Sequence, residues 1–348
     1  MAYTTINKSS LHMNTKLYTG TGSSNALTGI NFQPDLTWIK KRDGTNYHVL
    51  TDAVRGATKQ IYSNDTGAEQ AVAEGLKSFD SDGFTLGTNG DTNGSGGSYV
   101  GWNWKAGTTS GITTDGNTTI TPSSYSINQT AGFSILKFIG NGVEGAKLAH
   151  GLGTTPAMVI IKRTSTTGDW VVYHKNLTAT KSVFLNYTDA EAARSPNGYI
   201  YSPDATNITL SNHGDINNNG VTTVAYCFAE KTGYSKMGSY VGNANVDGPM
   251  IFTGFKPALV ITKNSSIADW WGMFDNKRLG YNSSDSPRIL FPNTSDVESN
   301  SKILDFTSNG FKIRSSNGAV NGSGNTVIYM AFAEAPLVGS NNVPCTAK

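Results

Sequence analysis

Cysteine is almost missing from this chain: Cys227 and Cys345 are the only two in 348 residues. Cys227 falls inside the apolar run Thr223–Glu230, where a buried thiol is the ordinary role, and Cys345 sits in a polar tail. Two isolated thiols give neither a disulfide framework nor a zinc-ligand spacing, and they fit a chain made in a reducing compartment. Charge is scarce as well, 15% of residues with a net of +2. The lysines are scattered, which disfavours a nucleic-acid partner. No apolar run approaches the roughly twenty residues that cross a bilayer as a helix, so no membrane insertion is expected. Met1 opens MAYTTINKSS, without the basic start and apolar core of a signal peptide. Windows rich in Ala, Leu, Glu and Lys are few, so helix is expected only in short pieces at Ala68–Leu76, Ala190–Arg194 and Asp296–Lys302.

What the chain does have is repetition. FQPDLTWIK at 32–40, GTTPAMVIIK at 153–162 and FKPALVITK at 255–263 each place a proline before an alternating apolar run that ends on lysine, where the chain is expected to leave the core. An aromatic strand follows each, around Tyr47-His48, Trp170-Val171 and Trp270-Trp271. A turn with an aromatic comes later, as Asp82-Gly83-Phe84, Asn197-Gly198-Tyr199 and Asn309-Gly310-Phe311. YVGWNWKAG, TVAYCFAEK and VIYMAFAEA close the three copies at 99–107, 223–231 and 327–335. A period of about ninety to one hundred residues is too long for a solenoid unit and suits a complete small β domain.

Apolar runs of period two, bounded by Gly, Asn and Asp, are the signature of half-buried antiparallel strands. Such strands bury their apolar face against a second sheet. The expected fold is therefore all-β: three tandem, jelly-roll-like β-sandwich domains with minor helix. The reading divides the chain into an N-terminal arm at 1–16, free to lie against a partner, and copies at 17–107, 133–232 and 233–337. A Thr/Ser/Gly-rich linker at 108–132 separates the first two copies, and a tail follows at 338–348. With only Lys231 and Thr232 between them, copies two and three are expected to pack as a rigid pair, copy one hanging on its linker.

Candidate chemistry is thin, and the copies judge one another. Asp80-Ser81-Asp82-Gly83 resembles the start of a calcium loop but lacks the downstream bidentate Glu, and the matching turns at 194–198 and 306–310 keep the turn without the carboxylates. His174 near Asp169 lacks a nucleophile on a strained turn, as a hydrolase triad needs. Gly-rich stretches at 93–97 and 321–324 lead into strands, so they read as hairpin tips and not as phosphate loops. No catalytic residues, metal ligands or cofactor are expected. Aromatics carry the live reading. Successive residues of Trp270-Trp271 point to opposite faces, one into the core and the other into the contact between copies two and three or out to a sugar ring or partner protein. Trp170, Trp270, Trp271 and Tyr47 are the candidate partner or glycan contacts. Trp102 and Trp104 share one face, the core of copy one.

The runs GYSKMGSYVGNANVDGPMIFTGFKPALVITK at 233–263, VIYMAFAEAPL at 327–337 and HGLGTTPAMVIIKR at 150–163 resemble repeated-domain virion structural and tail-fibre-like proteins of marine tailed phages. AYTTINKSS and NTKLYTGTG within 2–22, FQPDLTWIKKRDGTNYHVLTDAVRG at 32–56 and SFDSDGFTLG at 78–87 are similar to proteins of phages of marine cyanobacteria and their relatives. The resemblance implies a non-enzymatic structural protein on the virion exterior, made in the host cytoplasm and decorating the capsid or attached to the tail. Its partners would be other virion proteins and further copies of itself. A tail fibre or adhesin that binds host surface glycan is the alternative.

Overall fold

The structure, a computed structural model, describes residues 4–193, 198–278 and 288–336. The turn residue Asn197, Cys345 and the tail at 338–348 lie outside them. The described chain is all-β in class, its sheets antiparallel and its helix slight, as expected. Its helices beyond one turn of 3-10 helix at Ser9–Leu11 are three four-residue pieces, Gly90–Asn93, Gly214–Asn217 and Gly318–Asn321.

Each copy contains the same four-stranded unit in the same order. An opening strand (Met13–Thr19, Phe133–Ile139, Ser235–Val241) pairs with the closing strand (Ser98–Trp104, Thr222–Phe228, Thr326–Pro336). The closing strand pairs with the lysine-ending strand (Leu36–Lys41, Met158–Arg163, Phe255–Asn264), and that with a fourth (His48–Asp52, Trp170–His174, Trp271–Asp275). The register is conserved between copies: Leu36, Met158 and Leu259 lie opposite Trp104, Phe228 and Phe332. Each copy also carries a three-stranded sheet, and three separate clusters of buried side chains fill the spaces between a larger sheet and its own small one.

The other faces of the three larger sheets meet in one continuous core. Leu36, Trp38, Leu50, Trp102 and Trp104 of copy one, Ile160, Trp170, Val172, Tyr226 and Phe228 of copy two, and Leu259, Ile261, Trp271, Met330 and Phe332 of copy three all belong to it. Both faces of the lysine-ending strands are therefore covered, which explains their unbroken burial. Copy one does not hang on its linker. At the middle, Trp104, Phe228 and Phe332 form a triangle with ring centroids 6.4, 5.7 and 5.9 Å apart and interplanar angles of 65–69°. Edge-to-face pairs of this kind contribute about 0.5–1.5 kcal/mol each beyond their burial.

Three expectations are corrected. The segment 108–132 is no bare linker: Ile120 and Ile127 are buried, and Ser124–Asn128 adds a strand to the opening strand of copy two. Asp35 anchors it, accepting from the Ala106 N–H and the Ser126 hydroxyl, both at 2.8 Å. The arm at 1–16 folds back on its own chain from Thr4 onward, with Ile6 and Met13 in the central core. The helices expected at 68–76 and 296–302 are absent, and residues 190–193 are not helical. The main chain of those windows is used instead in pairing, as at Gln70–Ala71, and in contacts between copies, which outweigh the weak preference of so short a helix.

Replacing Phe332 with Ala should lower unfolding free energy by about 3–5 kcal/mol. Ile139→Ala, at a side chain 55% exposed, should stay within about 0.5 kcal/mol. Urea unfolding of both variants checks this, and equal costs would place the triangle outside the stabilising core.

Candidate functional site

Buried polar groups join the copies cyclically, and of those that sequence reading singles out Trp170, Trp271 and His174 belong to this set. On the fourth strand, Trp170 of copy two donates its indole N–H to the Tyr62 carbonyl of copy one at 2.9 Å. Trp271 of copy three donates to the Phe184 carbonyl of copy two, again at 2.9 Å. His48 holds the same position in copy one and faces the Phe291 backbone of copy three. A second ring links closing strands to the ends of fourth strands. The Tyr226 hydroxyl donates to Asp52 at 2.7 Å, and the Trp102 indole N–H donates to Asp275 at 3.1 Å. Met330 has no donor to offer, and His174 instead lies 3.2 Å from the Tyr329 carbonyl. A third ring is main chain: Glu69, Glu191 and Glu298 donate their N–H groups to the carbonyls of Thr164, Ser265 and Arg42. The main-chain ring closes through hydrogen bonds from each copy to the next. The side-chain contacts follow the same order, His48 facing copy three without a hydrogen bond from its Nε2, so the copies stand in an approximate three-fold arrangement.

The carboxylates of these rings are neutralised in place. Asp52 and Asp275 each accept from the arginine three residues on, Arg55 Nε at 2.5 Å and Arg278 Nε at 2.6 Å. Those guanidinium groups also donate to the Leu50 and Met273 carbonyls. Glu298 receives Arg42 from copy one through two parallel bonds of 2.9 Å, with Arg278 and Arg288 beside it. Burial works against its charge, yet these arginines hold its carboxyl below the usual range. Breaking a buried pair of this kind costs about 3–5 kcal/mol, because the surviving charge is stranded. Asp52, Asp275 and Tyr226 are sealed from solvent, which gives them a structural place and leaves no path for a substrate.

Lys40, Lys162 and Lys263, expected where the chain leaves the core, are fully buried instead. Backbone carbonyls cap their ammonium groups. Lys162 Nζ donates to the Thr66 carbonyl of copy one at 2.9 Å, and Lys263 Nζ to the Thr188 carbonyl of copy two at 3.0 Å. Lys40 Nζ is held by the Lys41 and Gly44 carbonyls.

Sequence reading missed a further set of three. Asn93, Asn217 and Asn321 are buried, and each Oδ1 accepts the backbone N–H of Thr21, Asn141 or Asn243. Their amide groups donate to the carbonyls of Ser23, Val143 and Asn245. They lock each closing hairpin to the loop after the opening strand. Gly20, Gly140 and Gly242 admit this approach, since a Cβ there would lie 2.2–2.3 Å from a carbonyl oxygen of the hairpin. The matched Gly-Asn and Asn-Gly-Ser-Gly wording was the available signal.

Of the candidate contact residues, Trp170 and Trp271 are interior, 0% and 2% exposed, and this burial corrects their reading as surface platforms. Trp270 is half-buried with its ring against Phe291, centroids 5.3 Å apart. Tyr47 is exposed and lies on Tyr62 at 4.5 Å. These two pairs occupy equivalent positions in copies three and one. Asp80 and Asp82 are engaged by Ser78 and Thr85 and by the N–H groups of Gly29 and Asn31. His174 and Asp169 lie at opposite ends of one strand's reach, Asp169 being tied to Asn186. Among the described residues no cluster of three His, Cys, Asp or Glu side chains could hold a metal, and no helix is long and apolar enough to cross a membrane.

A family model described as a domain of unknown function (DUF7483) matches residues 8–336. The chain belongs to that family. The match runs through all three copies as a single span. No curated protein and no solved structure matches the chain.

Burial sets a pH dependence. Lys40, Lys162 and Lys263 are each lowered to about 8 from 10.5. His174 is lowered to about 4, and His48 is held well below 6.5. All are bases depressed in the folded state, so the unfolded chain binds the extra protons and stability rises with pH through both windows. Urea midpoints should therefore climb from about pH 4.5 to 6.5 and again from about pH 8 to 9.5. A midpoint that falls across the alkaline window would contradict the buried ammonium groups.

Proposed function

We propose that this chain is a non-enzymatic structural protein on the exterior of a tailed-phage virion, decorating the capsid or attached to the tail. In this reading it is three β-sandwich modules fused into one body. Its work is assembly: it grips other virion proteins and further copies of itself. The observation that carries the reading is where the chain spends its buried charge. Two Asp–Arg pairs that take a donor from the next copy, the Glu298 cluster, two of the three buried lysines and two indole N–H groups of the fourth strand go to locking the copies together. What is left for contact is the outside, three versions of one surface. A rigid body with approximate three-fold order presents to a three-fold partner, with one molecule, what a homotrimer presents with three. The virion wording of the repeats points the same way.

A second reading, a tail fibre or adhesin for host surface glycan, has one observation in its favour. Tyr47 is 43% exposed and rests on Tyr62, the kind of flat aromatic face on which a sugar ring stacks.

Purified particles of a tailed phage that encodes this chain should contain it by mass spectrometry, and antibody against it should decorate intact particles. Absence from purified virions ends the proposal. Loss of host adsorption by a Tyr47→Ala phage, with particle yield unchanged, would move the role to the second reading.

A further inference from the structure

The three opening strands are equivalent, but their outer edges are not. In copy two the edge of Phe133–Ile139 is covered by Ser124–Asn128, antiparallel, with Tyr125 opposite Leu136 and Ile127 opposite Ser134. The covering strand is drawn from the long segment between copies one and two. Copies two and three are joined too closely to supply one, and among the described residues Ser235–Val241 ends its sheet, which has four strands where the other two have six. Along that edge runs a groove of about 400 Å³, walled by Lys236–Tyr240 and Phe252.

The groove is closed at one end and open at the other. The Met237 N–H, which points outward, is taken by the Glu230 carboxylate at 2.9 Å, and Lys175 holds that carboxylate at 2.6 Å. A charge set against an edge is a common guard against pairing. Past Met237 the guard stops: Ser239 and Val241 are exposed. Val246, Phe252 and Val241, at 65%, 61% and 59%, are the most exposed large apolar side chains among the described residues, and all three belong to copy three. Among the described residues copy one's opening strand also ends its sheet, but Leu17 at the Ser239 position is half-buried where Ser239 is exposed, and Thr19 stands where copy three has Val241.

We propose that the open half of this edge, Ser239–Val241, is a self-association site that pairs antiparallel with the same stretch of a second copy of this chain. The stretch carries no charge, so pairing it with itself opposes no like charges, and Lys236 stays in the guarded half. Copy two supplies the precedent within the molecule, an opening-strand edge that receives an antiparallel strand. The contact is isologous and closes as a dimer. Main-chain bonds supply the affinity, and Val241 supplies apolar area, with Phe252 on the wall of the groove. The inference deepens the assembly role and names its surface. Its test reads self-association alone, so it fails independently of whether virions contain the chain.

Sedimentation of the full chain, 37.0 kDa per copy, should show a monomer–dimer equilibrium. Ser239 and Val241 amides should gain hydrogen-exchange protection as concentration rises. Val241→Lys and Ser239→Lys should each weaken dimerisation at least about tenfold, since each puts two lysines on the diagonal across the pair, where 239 of one chain lies opposite 241 of the other. Ile139→Lys, the matching position in copy two, should leave it unchanged. Unchanged melting midpoints in the variants exclude misfolding, and the exchange measurement needs no variant. A wild-type chain that stays monomeric to millimolar concentration overturns the proposal. So does a dimer that survives both lysine variants, or one that leaves the Ser239 and Val241 amides unprotected. An edge that pairs only with a different virion protein overturns it as well.

Discussion

Every larger sheet in this protein is buried on both faces, and the second face is covered only by the other copies. That constraint governs the rest. A sheet that packs on its own small partner alone would leave Trp102, Trp104, Trp170 and Trp271 in water, and their burial is what draws three units into one body. The Trp104–Phe228–Phe332 triangle marks the point where all three meet. Around it, hydrogen bonds from each copy to the next convert a greasy contact into a directional one, because a buried donor without its acceptor costs about 1–3 kcal/mol. Apolar area drives the union, and the donors fix its order.

The copies have diverged without breaking the scheme. Where copy one has Asp52 and copy three Asp275, each bound to an arginine and to a side-chain donor from the next copy, copy two has His174. The facing residue there is Met330, and the histidine turns to a main-chain carbonyl instead. A neutral imidazole fits this place because burial lowers its pKa to about 4. Loss of an acid, its arginine and its donor in the same ring leaves no charge stranded. This is the compensation expected when a buried pair is removed as a unit.

Much of the fold was legible in the sequence. The three apolar runs ending on lysine, the closing strands and the turns at Asp82-Gly83 and Asn309-Gly310 fall on strands and hairpins as read, whereas the copy-two hairpin turns at 204–206. Trp102 and Trp104 do share a face. The association of copies was not legible, because period-two patterns identify the two faces of a strand but not what covers each. Val159 and Ile160 are both apolar, and nothing in their order says that one faces a small sheet and the other two neighbouring copies. For the same reason Trp170 passed as a surface ring. The alignment of copies was also ambiguous by one residue at Trp270-Trp271. The register places Trp271, not Trp270, with Trp170 and His48, so a ring nitrogen recurs at one buried position. The lysines misled because a charge at a strand end normally marks the surface. Here backbone carbonyls replace water around each ammonium group, from the same copy alone at Lys40 and from the same and the adjacent copy at Lys162 and Lys263.

The central claim is that the three copies are one cooperative unit, closed by bonds that cross between them. Native-state hydrogen exchange of the indole N–H groups of Trp102, Trp170 and Trp271 tests it most directly, since each belongs to a different copy and each donates across a different boundary. The account predicts that all three exchange with one free energy, equal to that of global unfolding and lowered equally by urea. Three different free energies, or one indole exchanging through local opening while the others stay protected, would contradict it.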